Sequence, residues 1–236
     1  MNIKSLVPER WKQKIKNHFG VPSHNLSFLH LKKCGFIPAF VLDIGAYEGE
    51  WTAGFLKVFP NIPVLMIEAQ KGKEEKLKNI CKRYPSADYS ISLCSSVSDE
   101  IIYFRESETA SHIAAIGSDD SLLQKRSVTV ADLLASKKSL IPNFIKLDVQ
   151  GHEIPVLEGC KSFLNKVEII MAEVTIMDLG YNEPLLVEFL NFMDKYDFRV
   201  YDIAQFMRRP YDKALHQADF IFVNKNSDLL KVKSWG

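Results

Sequence analysis

The stretch VLDIGAYEGEWT, from Val41 to Thr52, joins an apolar run to a glycine-containing turn. Asp43 interrupts the run, and Gly45 and Gly49 follow closely. A short apolar run that ends in turn residues is typical of a buried strand in a parallel sheet. In an open parallel sheet, ligands bind just beyond the carboxyl ends of the strands. The stretch therefore predicts a strand followed by a ligand-binding turn.

The rest of the chain continues this alternation of strands and helices. Further strand patterns are VLMIEA, DYSISLCSSV, EIIYFRES, NFIKLDV, KVEIIMAEV, FRVYDI and ADFIFVNK, and amphipathic helix patterns separate most of them. Such alternation predicts βαβ units, with right-handed crossovers that place helices on both faces of a mostly parallel sheet. The last two strands lack a helix between them, which predicts an antiparallel strand at one edge. We expect a doubly wound, Rossmann-like α/β domain.

We expect this domain to span residues 39–236, preceded by an N-terminal helical extension over residues 1–38. Within the extension, Trp11, Ile15 and Phe19 recur every four residues among lysines and arginines, which predicts a basic amphipathic helix from Val7 to Phe19. A second helix pattern, SHNLSFLHLKKCGF, ends near Gly35. We expect the extension to pack its apolar stripe on the main domain; the alternative is that the basic helix lies on an anionic membrane or a nucleic acid.

Composition excludes several classes of protein. The 236 residues carry a formal net charge of +1, which gives no overall attraction to nucleic acid. No run approaches the roughly 18 apolar residues of a membrane-spanning helix, and the amino terminus lacks a signal-peptide pattern. The four cysteines form no C-x-x-C pair, which favours reduced thiols. We expect a cytoplasmic protein without a nucleic-acid partner or transmembrane segment; a homo-oligomer stays open.

The glycine spacing favours one class of cofactor. A dinucleotide site needs G-x-G-x-x-G, whereas Gly45 and Gly49 give only G-x-x-x-G, with Glu48 and Glu50 beside them. A pyrophosphate would lie poorly near those carboxylates. S-adenosyl-L-methionine has no phosphate and carries a positive sulfonium centre. Glu68, at the end of the second predicted strand, can accept hydrogen bonds from both ribose hydroxyls of such a cofactor.

Acidic residues and one histidine follow the later strands. Asp148 and His152 come after the strand NFIKLDV, and Glu173 follows IIMA. These three residues are candidates for the base that takes a proton from an acceptor hydroxyl. The same groups suit a divalent cation, Mg²⁺ or Mn²⁺, as the alternative. We favour acid–base use without a metal.

On these residues the sequence resembles the FkbM family of S-adenosylmethionine-dependent methyltransferases, which mostly methylate hydroxyls of sugars and natural products. VLDIGAYEGEWT and MIEA are shared with many methyltransferases, whereas FIKLDVQGHEIPVLEGC is more specific. That block resembles the family pattern K-x-D-x-[EQ]-G-x-E-x-x-V-L-x-G from Lys146 to Gly159. The resemblance covers roughly Phe40 to Val223. Tyr47 departs from it, because the family often has Asn there.

The resemblance implies a class I methyltransferase fold and a set of cofactor contacts. Glu68 would hold the ribose, and Asp148 would lie between cofactor and acceptor. O-methylation of a glycan or small-molecule acceptor also rests on the resemblance. The remaining contacts would line the methionine end (Asp43, Gly45, Ala46, Tyr47, Gly49) and flank the adenine (Leu93, Cys94, Ser95).

Two long connections are candidates for acceptor contacts. Ser107–Asp120 contains His112 and is long enough for a lid. Ile203–Gln217 carries Arg208, Arg209 and Tyr211, which suit either a polar or anionic acceptor or a solvated hairpin loop.

Two other functions stay open on the sequence alone. A nicotinamide-dependent dehydrogenase has the same fold class, although the missing glycine argues against it. A non-catalytic binding module on the methyltransferase fold is the other alternative, although Asp43, Gly45, Glu68 and Asp148 are all in place.

Overall fold

The structure is a computed structural model. It describes residues 20–106, 122–181 and 183–235 together with the backbone of residues 112–113. The predicted helix Val7–Phe19 and most of the predicted lid lie outside these residues. In the part of the chain that is described, no helix is long and apolar enough to cross a membrane.

Helices and strands alternate as the sequence patterns predict. The helices are α1 (His24–Lys33), α2 (Glu50–Val58), α3 (Glu74–Arg83), α4 (Val130–Lys137), α5 (Glu153–Glu158) and α6 (Leu186–Lys195). The strands are β1 (Val41–Ile44), β2 (Val64–Glu68), β3 (Ala87–Ile91), β4 (Leu93–Cys94), β5 (Ile101–Arg105), β6 (His112–Ile113), β7 (Leu123–Val128), β8 (Phe144–Leu147), β9 (Ile169–Thr175), β10 (Phe198–Arg208) and β11 (Leu215–Asn224).

Seven strands form the central sheet, in the order β3-β2-β1-β8-β9-β11-β10. Neighbouring strands from β3 to β9 run parallel, whereas β11 pairs antiparallel with both β9 and β10. The predicted Rossmann-like α/β fold with an antiparallel pair at one edge is confirmed. Within that pair, β11 is the strand that runs antiparallel to β9, and it lies between β9 and β10. Strand β10 is therefore the edge strand.

Two layers of helices bury the two faces of the sheet. On one face, α4, α5 and α6 contribute Val130, Val156 and Phe189 to a core with β8 and β9 residues. On the other face, α1, α2 and α3 pack Phe28, Phe55 and other apolar side chains on the sheet. The strand order reverses between β1 and β8, so the crevice expected for a ligand opens beyond these two strands.

Helix α1 belongs to the second of these cores. Phe28 is buried and meets Trp51 edge to face, with ring centroids 5.4 Å apart. Polar contacts join α1 to the edge hairpin: Ser27 Oγ donates to Asp202 Oδ2 at 3.1 Å, His24 Nε2 lies 2.5 Å from Asp219 Oδ2, and His30 Nε2 lies 3.2 Å from Tyr201 Oη. The described part of the predicted extension therefore packs on the same sheet as the later helices.

Three local features differ from the sequence-based expectation. A second sheet, β4-β7-β5-β6, branches off after β3. The helix predicted over GHEIPVLEGCKSFLN stops at Glu158, where Gly159 packs so closely on Ser95 that a Cβ would lie 2.4 Å from its carbonyl oxygen. The predicted connection Ile203–Gln217 is largely strand, because β10 continues to Arg208 and β11 begins at Leu215.

Candidate functional site

A cleft with a volume of about 410 Å³ opens at the carboxyl ends of β1, β2, β8 and β9. This is the edge of the sheet at which the topology places a ligand. Polar and apolar side chains both line it. The lining residues are Ile44, Gly45, Tyr47, Ile67, Glu68, Ala69, Gln70, Ser92, Leu93, Cys94, Phe104, Asp148, Val149, Gln150, His152, Glu173, Gln205, Met207 and Gln217.

The turn after β1 is held by backbone geometry that requires glycine. Gly45 has a φ of +75°, and a Cβ on it would lie 1.8 Å from the carbonyl oxygen of Asp148. The loop after β8 therefore packs directly on this turn. Tyr47 has a φ of +49°, a left-handed conformation in which Asn is favoured over most other residues. The departure from the family pattern at Tyr47 thus falls on a position where Asn would be less strained.

Glu68, at the end of β2, is hydrogen-bonded to the turn that follows β1. Its Oε2 accepts from the Tyr47 amide and its Oε1 from the Gln70 amide, both at 2.7 Å. Burial raises the pKa of the Glu68 carboxyl, and these two hydrogen bonds oppose the rise. Each carboxylate oxygen has a second lone pair, so Glu68 can still accept from ligand hydroxyls in the cleft.

Asp43 lies beneath the cleft instead of in its wall. It is fully buried, and its Oδ2 accepts from Thr52 Oγ1 at 2.6 Å. Lys146 Nζ lies 3.2 Å from Asp43 Oδ1, 3.5 Å from Asp148 Oδ2, and donates to the Gly45 carbonyl at 2.8 Å. Burial lowers the pKa of the Lys146 ammonium, but the Asp43 and Asp148 carboxylates outweigh burial and raise it. Lys146 therefore stays charged and joins the two turns.

The loop after β8 presents Asp148 to the cleft. Gln150 Nε2 donates to Asp148 Oδ1 at 3.0 Å, and the side chain of Asp148 keeps 40% of its surface exposed. Glu153 supports this loop from inside: its Oε1 accepts from the Val149 amide at 3.0 Å and the Gly151 amide at 3.3 Å. Burial raises the pKa of the Glu153 carboxyl to about 7. Glu153 therefore holds the loop and does not line the cleft.

His152 lies on the β4 side of the cleft. Its Nε2 is 3.0 Å from Ser95 Oγ, a buried hydroxyl that follows β4. Burial lowers the pKa of the His152 imidazole to about 4. The ring is therefore neutral at physiological pH.

Glu173 lies on the opposite side, near the end of β9. Burial raises the pKa of its carboxyl to about 9, and the nearby carboxylates of Asp148 and Asp219 act in the same direction. Its Oε2 is buried and has no hydrogen-bond partner in the described structure. At neutral pH, Glu173 is therefore a protonated acid and can donate a hydrogen bond.

The structure brings most of the predicted site residues to one cleft. Asp148, His152 and Glu173 all line it, although no group of three His, Cys, Asp or Glu side chains in the described ranges is arranged to hold a metal ion. The predicted cofactor residues that line the cleft are Gly45, Tyr47, Glu68, Leu93, Cys94 and Asp148, whereas Asp43, Ala46, Gly49 and Ser95 do not.

The arginines of the predicted acceptor connection, Arg208 and Arg209, bond within the β10–β11 hairpin and not to the cleft. Arg209 makes two bonds to Asp212, at 2.7 and 2.6 Å, and Arg208 Nη1 donates to the Lys213 carbonyl at 2.9 Å. Tyr211 is 91% exposed at the tip of the β10–β11 hairpin. None of the three lines the cleft.

Sequence reasoning named the connection Ile203–Gln217 but singled out other residues in it than those that line the cleft, which are Gln205, Met207 and Gln217, and it did not identify Phe104 of β5. The alternation of side chains along Ala204–Met207 was the available signal. It is weak, because both faces of that segment carry polar or half-exposed residues.

Comparison with known proteins identifies the family. The FkbM methyltransferase domain matches residues 43–200, which is more than half of the chain. The chain therefore belongs to the FkbM methyltransferase family. No curated protein sequence matches it.

Several solved structures resemble the chain at low identity. Precorrin-6y C5,15-methyltransferase from Geobacter metallireducens GS-15 is 11% identical, with a TM-score of 0.48 over 85% of this chain and 87% of that one. Magnesium protoporphyrin IX methyltransferase from Synechocystis PCC 6803 is 9% identical, with a TM-score of 0.49 over 85% and 77%. The 1,6-didemethyltoxoflavin-N1-methyltransferase of Burkholderia thailandensis is 14% identical, with a TM-score of 0.49 over 92% and 87%.

Proposed function

We propose that the protein is an S-adenosylmethionine-dependent O-methyltransferase that acts on a hydroxyl of a glycosyl or natural-product acceptor. The observation that carries the proposal is the placement of Glu68 beside the Gly45 turn, within a cleft that is lined by carboxyl groups and, among the described residues, by no lysine or arginine. The match to the FkbM methyltransferase domain supports the same activity.

The charge of the cleft fits this cofactor better than a dinucleotide. Glu68, Asp148 and Glu173 line it, whereas Lys146 lies beneath it, beside Asp43, Asp148 and the Gly45 carbonyl. A pyrophosphate would meet these carboxyl groups with no lysine or arginine among the described lining residues to bind it, whereas a sulfonium meets opposite charge. S-adenosylmethionine supplies an electrophilic methyl group and a neutral thioether leaving group.

Glu68 is proposed to bind the ribose. Its two oxygens are fixed by the Tyr47 and Gln70 amides, so both remaining lone pairs are oriented before a ligand arrives. Gly45 and Tyr47 would face the methionine end, and Leu93 and Cys94 the adenine. Ala46, Gly49 and Ser95 do not line the cleft, and we propose that they support the residues that make these contacts.

The three polar groups beyond β8 and β9 are proposed to have different roles. As the acceptor oxygen bonds to the methyl carbon and the carbon–sulfur bond breaks, the hydroxyl proton passes to the Asp148 carboxylate. Glu173, protonated at neutral pH, cannot take that proton but can donate a hydrogen bond to the acceptor. His152 is hydrogen-bonded to Ser95 on the β4 side of the cleft and is a weak base. We therefore assign it a positioning role and not the role of the base.

No metal is needed for this mechanism. Asp148, His152 and Glu173 do not form a ligand set for one ion in the described structure, and the proton acceptor is a side chain. We expect turnover to be unchanged after treatment with EDTA. Loss of activity that Mg²⁺ or Mn²⁺ restores would contradict the metal-free mechanism.

Calorimetry with S-adenosylmethionine tests the cofactor. We expect the wild-type protein to bind it and Glu68→Ala to bind at least tenfold more weakly, because two charge-assisted ribose hydrogen bonds are lost. Glu75→Ala, at an exposed position on α3, is the matched control. No binding by the wild type would refute the proposed enzyme, and equal binding by Glu68→Ala would refute only the ribose assignment.

A further inference from the structure

The edge hairpin contributes one wall of the cleft. Gln205 and Met207 on β10 and Gln217 on β11 line it, and Glu173 on β9 stands beside them. Gln205 pairs with Asp219, and Asp219 with Glu173; Met207 pairs with Gln217. Directly paired residues of antiparallel strands share a face and lie about 4.5–5.5 Å apart. Three adjacent strands therefore present one continuous polar surface to the cleft.

Polar groups of this surface face the cleft, and one of their atoms has no partner among the described residues. Gln217 lines the cleft with only 8% of its surface exposed. Glu173 Oε2 is buried and has no hydrogen-bond partner in the described structure. Most buried polar side chains in proteins have hydrogen-bond partners, so exceptions that border a cavity point to a ligand that completes the bonds.

The chemistry of these groups is specific for a neutral, hydroxylated ligand. Glutamine amides donate and accept, as hydroxyl groups do, and the protonated Glu173 also donates. Met207 adds a polarizable apolar contact between the two amides. An anionic ligand would meet the Asp148 carboxylate, and no lysine or arginine lines the described part of the cleft, since Arg209 is bonded to Asp212 at the hairpin tip.

We propose that Gln205, Met207 and Gln217 form the acceptor subsite, which binds the uncharged ring of a pyranoside and rejects rings that carry a carboxylate or phosphate. The two amides bond to ring hydroxyls, and Met207 packs on the C–H face of the ring. The proposal deepens the proposed function and rests on it for the reaction, but the binding of the ring is measured independently of methyl transfer.

Saturation-transfer NMR tests the subsite directly. The probes are methyl α-D-glucopyranoside, methyl α-D-galactopyranoside and methyl α-D-glucopyranosiduronate, each added with and without S-adenosylhomocysteine. We expect transfer to at least one neutral pyranoside, and at least fivefold less to the uronate. Gln205→Leu and Gln217→Leu should each reduce transfer to the neutral ring several-fold, because an amide–hydroxyl hydrogen bond is lost.

The controls separate local from general effects. Gln124→Leu makes the same change at an exposed position on β7, outside the cleft, and should leave the transfer unchanged. Gln217→Lys introduces a cation into the wall and should raise transfer to the uronate. Gln205 is exposed, so Gln205→Leu gives a folded variant even if the buried Gln217 substitutions do not.

Three results would overturn the subsite: no transfer to either neutral pyranoside, equal transfer to the uronate, or wild-type transfer in both leucine variants. Calorimetry with S-adenosylhomocysteine on the same samples keeps this outcome distinct from failure of the proposed function. A protein that binds the pyranoside but not the cofactor would retain the subsite and lose the methyltransferase assignment.

Discussion

Lys146 Nζ donates to the carbonyl oxygen of Gly45 at 2.8 Å, which ties together two motifs a hundred residues apart in the sequence. The same ammonium lies 3.2 Å from the buried Asp43 carboxylate. The lysine of the FkbM block and the aspartate of the glycine turn thus form one internal ion pair. The sheet places them side by side, because Asp43 on β1 pairs with Lys146 on β8.

Removal of Lys146 should cost stability. Lys146→Met leaves the Asp43 carboxylate buried without its cation, which typically costs about 3–5 kcal/mol of unfolding free energy. The double variant Asp43→Asn with Lys146→Met should recover a large part of that loss, because no unpaired charge remains. Urea unfolding of both single variants and the double variant measures the coupling. Additive losses would show that the pair does not act as a unit.

Gly45 should not tolerate a side chain. Gly45 has a φ of +75°, and a Cβ on it would lie 1.8 Å from the Asp148 carbonyl oxygen, so Gly45→Ala must displace backbone. We expect a loss of about 3 kcal/mol or more. Gly54 is the matched control: it lies within α2 with nothing within 4 Å of its Cβ position, so Gly54→Ala should stabilise by up to about 1 kcal/mol. Equal thermal unfolding midpoints would contradict the packing of the two turns.

The sequence predicted the parts of the site that follow from strand order. Apolar runs such as Val41–Ile44 and Phe144–Leu147 are buried along their whole length, so they mark parallel strands clearly. Whatever follows such strands must meet at one edge of the sheet, and Glu68 and Asp148 do line one cleft.

The same reasoning is less informative where polar residues occupy buried positions or strands. The predicted contact of Asp43 with the cofactor stays a prediction, but Asp43 lies beneath the cleft beside Lys146, and no local sequence pattern shows that pairing. The sequence pattern predicts a connection over Ile203–Gln217, whereas Gln205 and Gln217 lie on strands. A strand whose face borders a polar cleft loses the apolar alternation on which strand prediction depends.

Glu173 should make stability depend on pH. The folded protein holds its proton up to a pKa of about 9, whereas the unfolded chain releases it near 4.5, so the unfolding free energy falls as pH rises between these values. Glu173→Gln keeps a neutral side chain at every pH. It should exceed the wild type by several kcal/mol at pH 9, because each pKa unit between the folded and unfolded states is about 1.4 kcal/mol, and match it within about 1 kcal/mol near pH 5.

Urea unfolding at several pH values measures this difference. Glu75→Gln, at an exposed glutamate, serves as the control and should follow the wild type throughout. Parallel pH profiles for Glu173→Gln and the wild type would show that Glu173 is ionised in the folded protein.

Substitutions of Asp148 and of His152 should have different effects on turnover. Asp148→Asn removes the proposed proton acceptor, so turnover on a glycoside acceptor should fall about a hundredfold or more while the affinity for S-adenosylmethionine changes little. His152→Gln should change turnover far less, because the histidine is assigned to positioning. The rate of S-adenosylhomocysteine formation, with calorimetry on the same variants, checks both. A larger loss in His152→Gln would transfer the role of base to His152.

His152 also gives a prediction at acidic pH, with the opposite sign to that of Glu173. Burial lowers the pKa of the His152 imidazole from 6.5 to about 4. Between pH 4 and 6.5, His152 therefore binds a proton in the unfolded chain but not in the folded protein. The unfolding free energy of the wild type should therefore fall as the pH drops from about 6.5 to 4. His152→Gln, which cannot titrate, should lose less stability over that range, and Nε2 should stay bonded to Ser95 in the wild type. NMR titration of the imidazole measures the pKa directly; a midpoint near 6.5 would show that the ring is solvated, and the Ser95 contact would then be absent in solution.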